Sequence, residues 1–303
     1  MPFLISNGVL HAYIPEQNDT DLVIPDGVTA IDKAAFFKND RLRRVVIPDH
    51  VREIGVNVFS GCTALEEVTL PAHLQEISWG LLADCRSLAQ VQIPESVIRI
   101  GSDAFKNCQS LKNVRIPART MAVGWSAFEG CSALSCVRLP AGMTSLGKSA
   151  FFNCPALHDL LIEVRQSEPP CLLRLHCADM EGMVWEDVRA LLQHRSFTRR
   201  MDKGVKYAMA AQMFLALQSP EAEAFIRQHK KDLLCTLIDA DDYESVKGLF
   251  ESGRFVNRKS ILYYVDYAIR HTDNGGDFQI QSFISKYRAS HFPEAHPTDN
   301  WNL

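Results

Sequence analysis

The 303-residue chain lacks an excess of either charge: 32 Lys+Arg stand against 36 Asp+Glu, a net of -4. That balance does not favour nucleic acid or an anionic membrane as a partner. Nor do the halves differ, with 14 basic and 17 acidic residues in 1–164 and 18 and 19 in 165–303. No stretch approaches the roughly 18–20 apolar residues of a membrane span. The opening "MPFLISNGVLHAYIP" has neither a basic leader region nor the apolar run of a signal peptide. A cytoplasmic protein is expected, with a chain trimmed of a leader as the alternative. An even cysteine count is also missing, since there are nine. Five of these, Cys62, Cys85, Cys108, Cys131 and Cys154, stand 23 residues apart, unlike a disulfide framework. Free buried thiols in a reducing compartment fit better.

What is present is a repeat. Apolar-Pro pairs recur at Ile24-Pro25, Ile47-Pro48, Leu70-Pro71, Ile93-Pro94, Ile116-Pro117 and Leu139-Pro140, always 23 apart. Other columns keep the step: Ile31, Ile54, Ile77, Ile100, Val123, Leu146; and Phe36, Phe59, Leu82, Phe105, Phe128, Phe151. Within one unit, Leu42, Val45 and Ile47 form a short strand with Val45 and Ile47 on one face. Pro48 ends it for want of an N–H. Val51 and Ile54 turn inward, Gly55 permits a turn that a β-carbon would hinder, Phe59 fills the core, and Cys62 is small enough to bury with its S–H on a turn carbonyl. One unit cannot bury its own apolar face, so the units must stack.

"IPESVIRIGSDAFKNCQSLKNV" and its sister units resemble the BspA-type leucine-rich repeat, a 23-residue unit, over roughly residues 22–162. The departures are Asn39 in the Cys column, Ser78 and Leu82 in the Gly and Phe columns, and Thr120 in place of Val. Glu163 replaces a seventh Pro, so the array stops there. The resemblance implies a right-handed β-rich solenoid. It brings no catalytic residues with it, and it points to a family known chiefly for surface and host-interaction proteins.

Asn7-Gly8 between apolar runs predicts a hairpin over 3–14 that caps the first repeat. Pro169-Pro170 marks the far boundary. Beyond about Val184 the pattern is helical. Ser219 is a predicted N-cap, followed by Pro220, Glu221 and Glu223, with Phe225, Leu233, Leu234 and Leu237 near a 3.6 period. A helix, a stop at Gly253 and a second helix follow. "VKGLFESG" resembles an ankyrin helix ending, and a plain antiparallel helical array is the alternative. The expected fold class is α+β: a hairpin cap (1–21), a six-repeat leucine-rich-repeat solenoid (22–164), a boundary segment (165–182), an all-helical domain (183–292) and a tail (293–303).

Each chemical motif has a plainer explanation. "GMTSLGKS", Gly142 to Ser149, matches the P-loop formula and raises a nucleotide-binding enzyme as a lesser alternative. Met143, Leu146 and Gly147, however, occupy the columns of Val51, Ile54 and Gly55. Cys171, His176 and Cys177 lack a zinc spacing. Arg195, Arg199, Arg200 and Lys203 could grip phosphates or simply form a solvated face. Asp239 to Asp242 reads as a helix cap. "GWSAF" and "GKSAF" are repeat columns rather than a nucleophile elbow. No enzyme, metal or cofactor is therefore expected. The candidate site is the outward strand face, in ladders Val46, Thr69, Gln92, Arg115, Arg138, Leu161 and Arg44, Glu67, Gln90, Asn113, Cys136, Asp159. Arg115 and Arg138 would lie one strand spacing apart, where like charges repel. That pair could hold an acidic partner group, or splay into water, or pair with the helical domain. A non-enzymatic scaffold for another protein or peptide is the expected function. A surface or carbohydrate-binding adhesin of the exported type is the alternative.

Overall fold

The computed structural model describes residues 2–15, 20–165, 171–176 and 202–293, together with Val188, Leu192 and Phe197. The chain divides into two compact units, Met1–Arg189 and Ala190–Leu303. No helix among the described residues is long and apolar enough to cross a membrane.

The first unit is a β-solenoid. β1 (Phe3–Ser6) and β2 (Val9–Tyr13) pair antiparallel around Asn7 and Gly8, both at positive φ, as an Asn-Gly hairpin requires. Wide strands then alternate with two-residue ones. The wide strands are β3 (Asp21–Val23), β5 (Arg44–Val46), β7 (Glu67–Thr69), β10 (Asn113–Arg115), β12 (Cys136–Pro140) and β14 (Asp159–Arg165). The narrow ones are β4 (Ala30–Ile31), β6 (Glu53–Ile54), β8 (Glu76–Ile77), β9 (Arg99–Ile100), β11 (Ala122–Val123) and β13 (Ser145–Leu146). From β3 onward every parallel pair joins residues one repeat apart, such as Arg44 with Glu67 and Ala122 with Ser145. β15 (Cys171–His176), in the segment expected as a boundary, returns antiparallel on β14 and extends the sheet.

Repetition carries the packing. Phe36 stacks on Phe59 at 5.0 Å, Phe105 on Phe128 at 4.9 Å, and Phe128 on Phe151 at 5.4 Å, with Leu82 interrupting the column. Thr120 is fully buried, and its hydroxyl donates to Val97 O at 2.9 Å, which offsets the cost of burying it. Two residues per repeat sit at positive φ, in the columns Ala34, Asn57, Gly80, Asp103, Ser126, Ser149 and Lys38, Gly61, Asp84, Asn107, Gly130, Asn153.

The glycine column sets how closely the turns approach. Gly55, Gly101, Gly124 and Gly147 donate their N–H to the apolar residue of the preceding turn at 2.7–2.9 Å. A Cβ on Gly124 would meet Ser102 N at 2.4 Å. Ser78 carries such a Cβ. Its hydroxyl instead donates to Gly55 O at 2.6 Å. The narrow sheet divides at that step, into β1-β2-β4-β6 and β8-β9-β11-β13. In the same turn Ala89–Gln92 forms no strand, so the wide sheet also divides, into β3-β5-β7 and β10-β12-β14-β15.

The second unit has five helices among the described residues: α1 (Lys203–Leu217), α2 (Pro220–Asp239), α3 (Tyr243–Glu251), α4 (Arg258–Asp273) and α5 (Phe278–His291). Each start carries a capping side chain: Asp202, Ser219, Asp242, Asn257 and Asp277 accept from backbone N–H groups of the first turn. Gly253, at φ 66°, ends the chain's run out of α3. Ile226 takes the buried position on α2, while Phe225 is half-buried and stacks on Phe197 at 4.5 Å. Phe250, Tyr264, Phe283 and Tyr287 form an aromatic cluster, and Tyr287 Oη donates to Phe250 O at 2.8 Å.

Candidate interaction faces

The wide strands bury Val45, Val68, Val114, Val137 and Leu160 and turn their neighbours outward. Arg44, Val46, Glu67, Thr69, Asn113 and Arg115 are exposed, while Cys136, Arg138 and Leu161 are half-buried. Gln90 and Gln92 are exposed too, but they stand on the stretch without a strand, so both ladders are interrupted there. Asp159 begins β14, and its side chain lies outside the described residues. Arg44 bridges the acids on either side of it, with Asp21 at 3.8 Å and Glu67 at 3.7 Å.

Arg115 and Arg138 are register partners on β10 and β12. Arg115 is answered within the solenoid. Its Nη1 lies 2.5 Å from Glu95 and its Nε 3.7 Å from Glu163, whose side chain is only 12% exposed. Arg138 has no ion-pair partner among the described residues. Among the described residues the pair therefore presents one paired and one unpaired guanidinium. Glu95 and Glu163 stand off the 23-residue step from Arg115, so column reading does not connect them.

The cysteine column is chemically quiet. Cys62, Cys85, Cys108, Cys131 and Cys154 each donate S–H to a carbonyl of the preceding turn, at 3.1–3.2 Å. Burial pushes the Cys62 thiol up to about 12 and Cys154 to about 11, and raises the other three as well. Thiols held protonated in this way are poor nucleophiles and metal ligands. In the first turn Asn39 replaces the cysteine, and its Oδ1 accepts from Arg41 N and Leu42 N.

Gly142–Ser149 keeps its place in the repeat. Met143 is buried, Ser145–Leu146 is β13, Gly147 N–H donates to Val123 O at 2.8 Å, and Ser149 sits at φ 58° in a turn column. No helix begins at Lys148 to present a phosphate cradle. Arg195, Arg199, Arg200 and Cys177 lie outside the described residues. Lys203 pairs with Asp232 at 3.4 Å, and Asp242 caps α3. Among the described residues no three His, Cys, Asp or Glu side chains are placed to hold a metal.

A second outward column was not singled out by the sequence reading. It follows the glycines: Lys33, Val56, Trp79, Ser102, Trp125, Lys148. Trp79 is 51% and Trp125 69% exposed. The available signal was two bulky aromatics in a column otherwise free to vary.

Residues 16–97 and 80–167 match the family model of the BspA type leucine rich repeat region, in six copies, which covers about half of the chain. Similar solved structures include a leucine rich repeat protein of T. pallidum, 36% identical over 50% of this chain and 72% of that one, with a TM-score of 0.48. A leucine-rich repeat protein from Bacteroides ovatus is 28% identical over 47% of this chain and 37% of that one, with a TM-score of 0.44. A leucine rich cell surface protein from Faecalibacterium prausnitzii is 27% identical over 53% and 36%, with a TM-score of 0.36. The chain spans little more than a third of the last two. No curated protein matches it.

Proposed function

This chain belongs to the BspA-type leucine-rich repeat family, and from that premise we propose that it is a non-enzymatic scaffold. It binds another protein or peptide along the outward face of its wide strands. The observation that carries this reading is the division of labour in each strand. The inward residues are alike and buried, while the outward ones vary in charge and size and stand in register one strand spacing apart. A regular face of that kind suits an extended partner surface. Arg138, with its charge unanswered among the described residues, is the proposed anchor for an acidic group, and Arg115 flanks it.

We place the scaffold in the cytoplasm, where the five column thiols stay reduced and able to donate. We read the helical unit as an ankyrin-like stack. α1 packs on α3 and α3 on α5, while α2 packs on α4, so alternate helices form two layers. Side-chain contacts between α2 and α4 recur 28 residues apart, as in Cys235–Tyr263 and Asp239–Tyr267.

The test is a pull-down from the source organism's soluble lysate with the intact chain and an Arg115→Glu, Arg138→Glu double variant, both checked for folding by circular dichroism. A partner held by the intact chain and lost by the variant is the expected result. A partner held equally by both removes the wide-strand face as the site.

A further inference from the structure

We infer that the edge formed by Trp79, Ser102 and Trp125 binds a proline-rich segment of a partner protein, in polyproline II conformation and aligned with the solenoid axis. This rests on the protein-binding reading but uses a different face from the wide strands.

Two of the chain's four tryptophans stand mostly in solvent on this edge. Stability does not favour exposing two indoles, and exposed Trp is a frequent binding anchor. The two follow β8 and β11, which flank β9 in unbroken register, Glu76 with Arg99 and Arg99 with Ala122. Their backbone positions therefore lie two strand spacings apart, about 9.6 Å. Ser102 between them is half-buried and small. Trp79 is fixed in place, since its Nε1 donates to Asp103 Oδ2 at 3.0 Å. Trp125 Nε1 has no hydrogen-bond partner among the described residues, so it offers a donor to a ligand carbonyl.

The spacing selects the ligand. An extended strand repeats its same-face side chains at about 6.7 Å and then about 13 Å, missing the second indole. An α-helix comes closer, near 10.5 Å for residues seven apart, but its carbonyls are bonded internally and are not free to accept from Trp125. A polyproline II helix repeats every three residues, about 9.3 Å, and its carbonyls are free. Aromatic-lined slots accept such segments because the preformed helix loses little entropy on binding.

Charge orients the segment. Lys148 stands one turn after Trp125 in the same column, exposed and with no ion-pair partner among the described residues. An acidic residue at the Trp125 end would complement it.

The experiment is fluorescence anisotropy with a short labelled peptide carrying proline at every third position and Glu at one end. The control peptide has the same composition with proline at every second position. The first should bind the intact chain and the control should not. Trp125→Ala and Trp79→Ala should each weaken binding roughly thirtyfold, the low end for a tryptophan anchor. Phe152→Ala, which removes an exposed aromatic from another column, should leave it unchanged. Equal binding of both peptides, no binding of the first, or indifference to Trp125→Ala overturns the inference. So does a linear oligosaccharide that quenches Trp125 fluorescence where the peptide does not. None of these outcomes depends on the Arg115/Arg138 pull-down, so the two readings fail separately.

Discussion

In the solenoid, Phe128 touches Phe105 and Phe151, each 23 residues away. In the helical unit, Phe250 touches Tyr264, Phe283 and Tyr287, at separations of 14, 33 and 37. Both phenylalanines are fully buried. The first belongs to a column in which each member meets only its neighbours. The second is a hub on which three helices converge. The difference is between stability shared out along a line and stability concentrated at a point.

The sharpest way to break this comparison is to delete both rings. Phe128→Ala and Phe250→Ala should each cost about 3–5 kcal/mol. Their reach should differ. Hydrogen exchange should rise across the turns adjoining Phe128 and leave β1 to β4 protected, whereas Phe250→Ala should release α3, α4 and α5 together. Uniform loss across the solenoid after Phe128→Ala would refute nearest-neighbour stability.

A smaller effect separates the units by what a new methyl meets. On Gly124 it meets backbone, Ser102 N at 2.4 Å, whereas on Gly248 it meets the Leu215 side chain at 2.7 Å. Backbone cannot yield without opening the turn, while a leucine can change rotamer. Gly124→Ala should destabilise by about 2–3 kcal/mol, in the range of overpacking. Gly248→Ala should fall within about 1 kcal/mol of neutral, because Ala also favours the helix. Urea denaturation of each variant distinguishes the two.

The smallest contrast is in pH. Burial raises the column thiols, so their contribution is fully present below the unfolded thiol value near 9 and is lost as pH rises through about 11 to 12. In the helical unit Tyr263 is pushed up from 10.0 to about 12 by burial and by its hydrogen bond with Cys235. The sign is the same there, where among that unit's described residues Cys235 is the one thiol that burial raises. On alkaline titration, exchange should therefore quicken more in the solenoid, with five such thiols, than in the helical unit. A reversed order would show that the thiol column contributes little.

The columns were legible because one geometry recurs through the solenoid, and each position repeats its demand for size and polarity. The wide strands other than the one missing at Ala89–Gln92 and the buried cysteines followed from the period, and the hairpin from Asn7-Gly8 between apolar runs. In the helices, local chemistry served as well, and Ser219 and Asp242 cap where expected. Ser78 stood out as a departure from the column, but its consequence, a divided sheet, came only from the 2.4–2.9 Å approach that its glycine neighbours allow. The two positive-φ columns were hidden because Ala, Asn, Gly, Asp and Ser all occupy them.

The sequence by itself determined the repeat, its step, its inward residues, the caps of α2 and α3 and the stop at Gly253, since these depend on contacts at fixed separation along the chain or within one turn. The tertiary structure alone decided that Arg115 is neutralised by Glu95 and Glu163, that Gln90 and Gln92 fall in a gap between sheets, and that Phe250 is the centre of the helical unit. Those outcomes depend on side chains brought together at separations that no period announces.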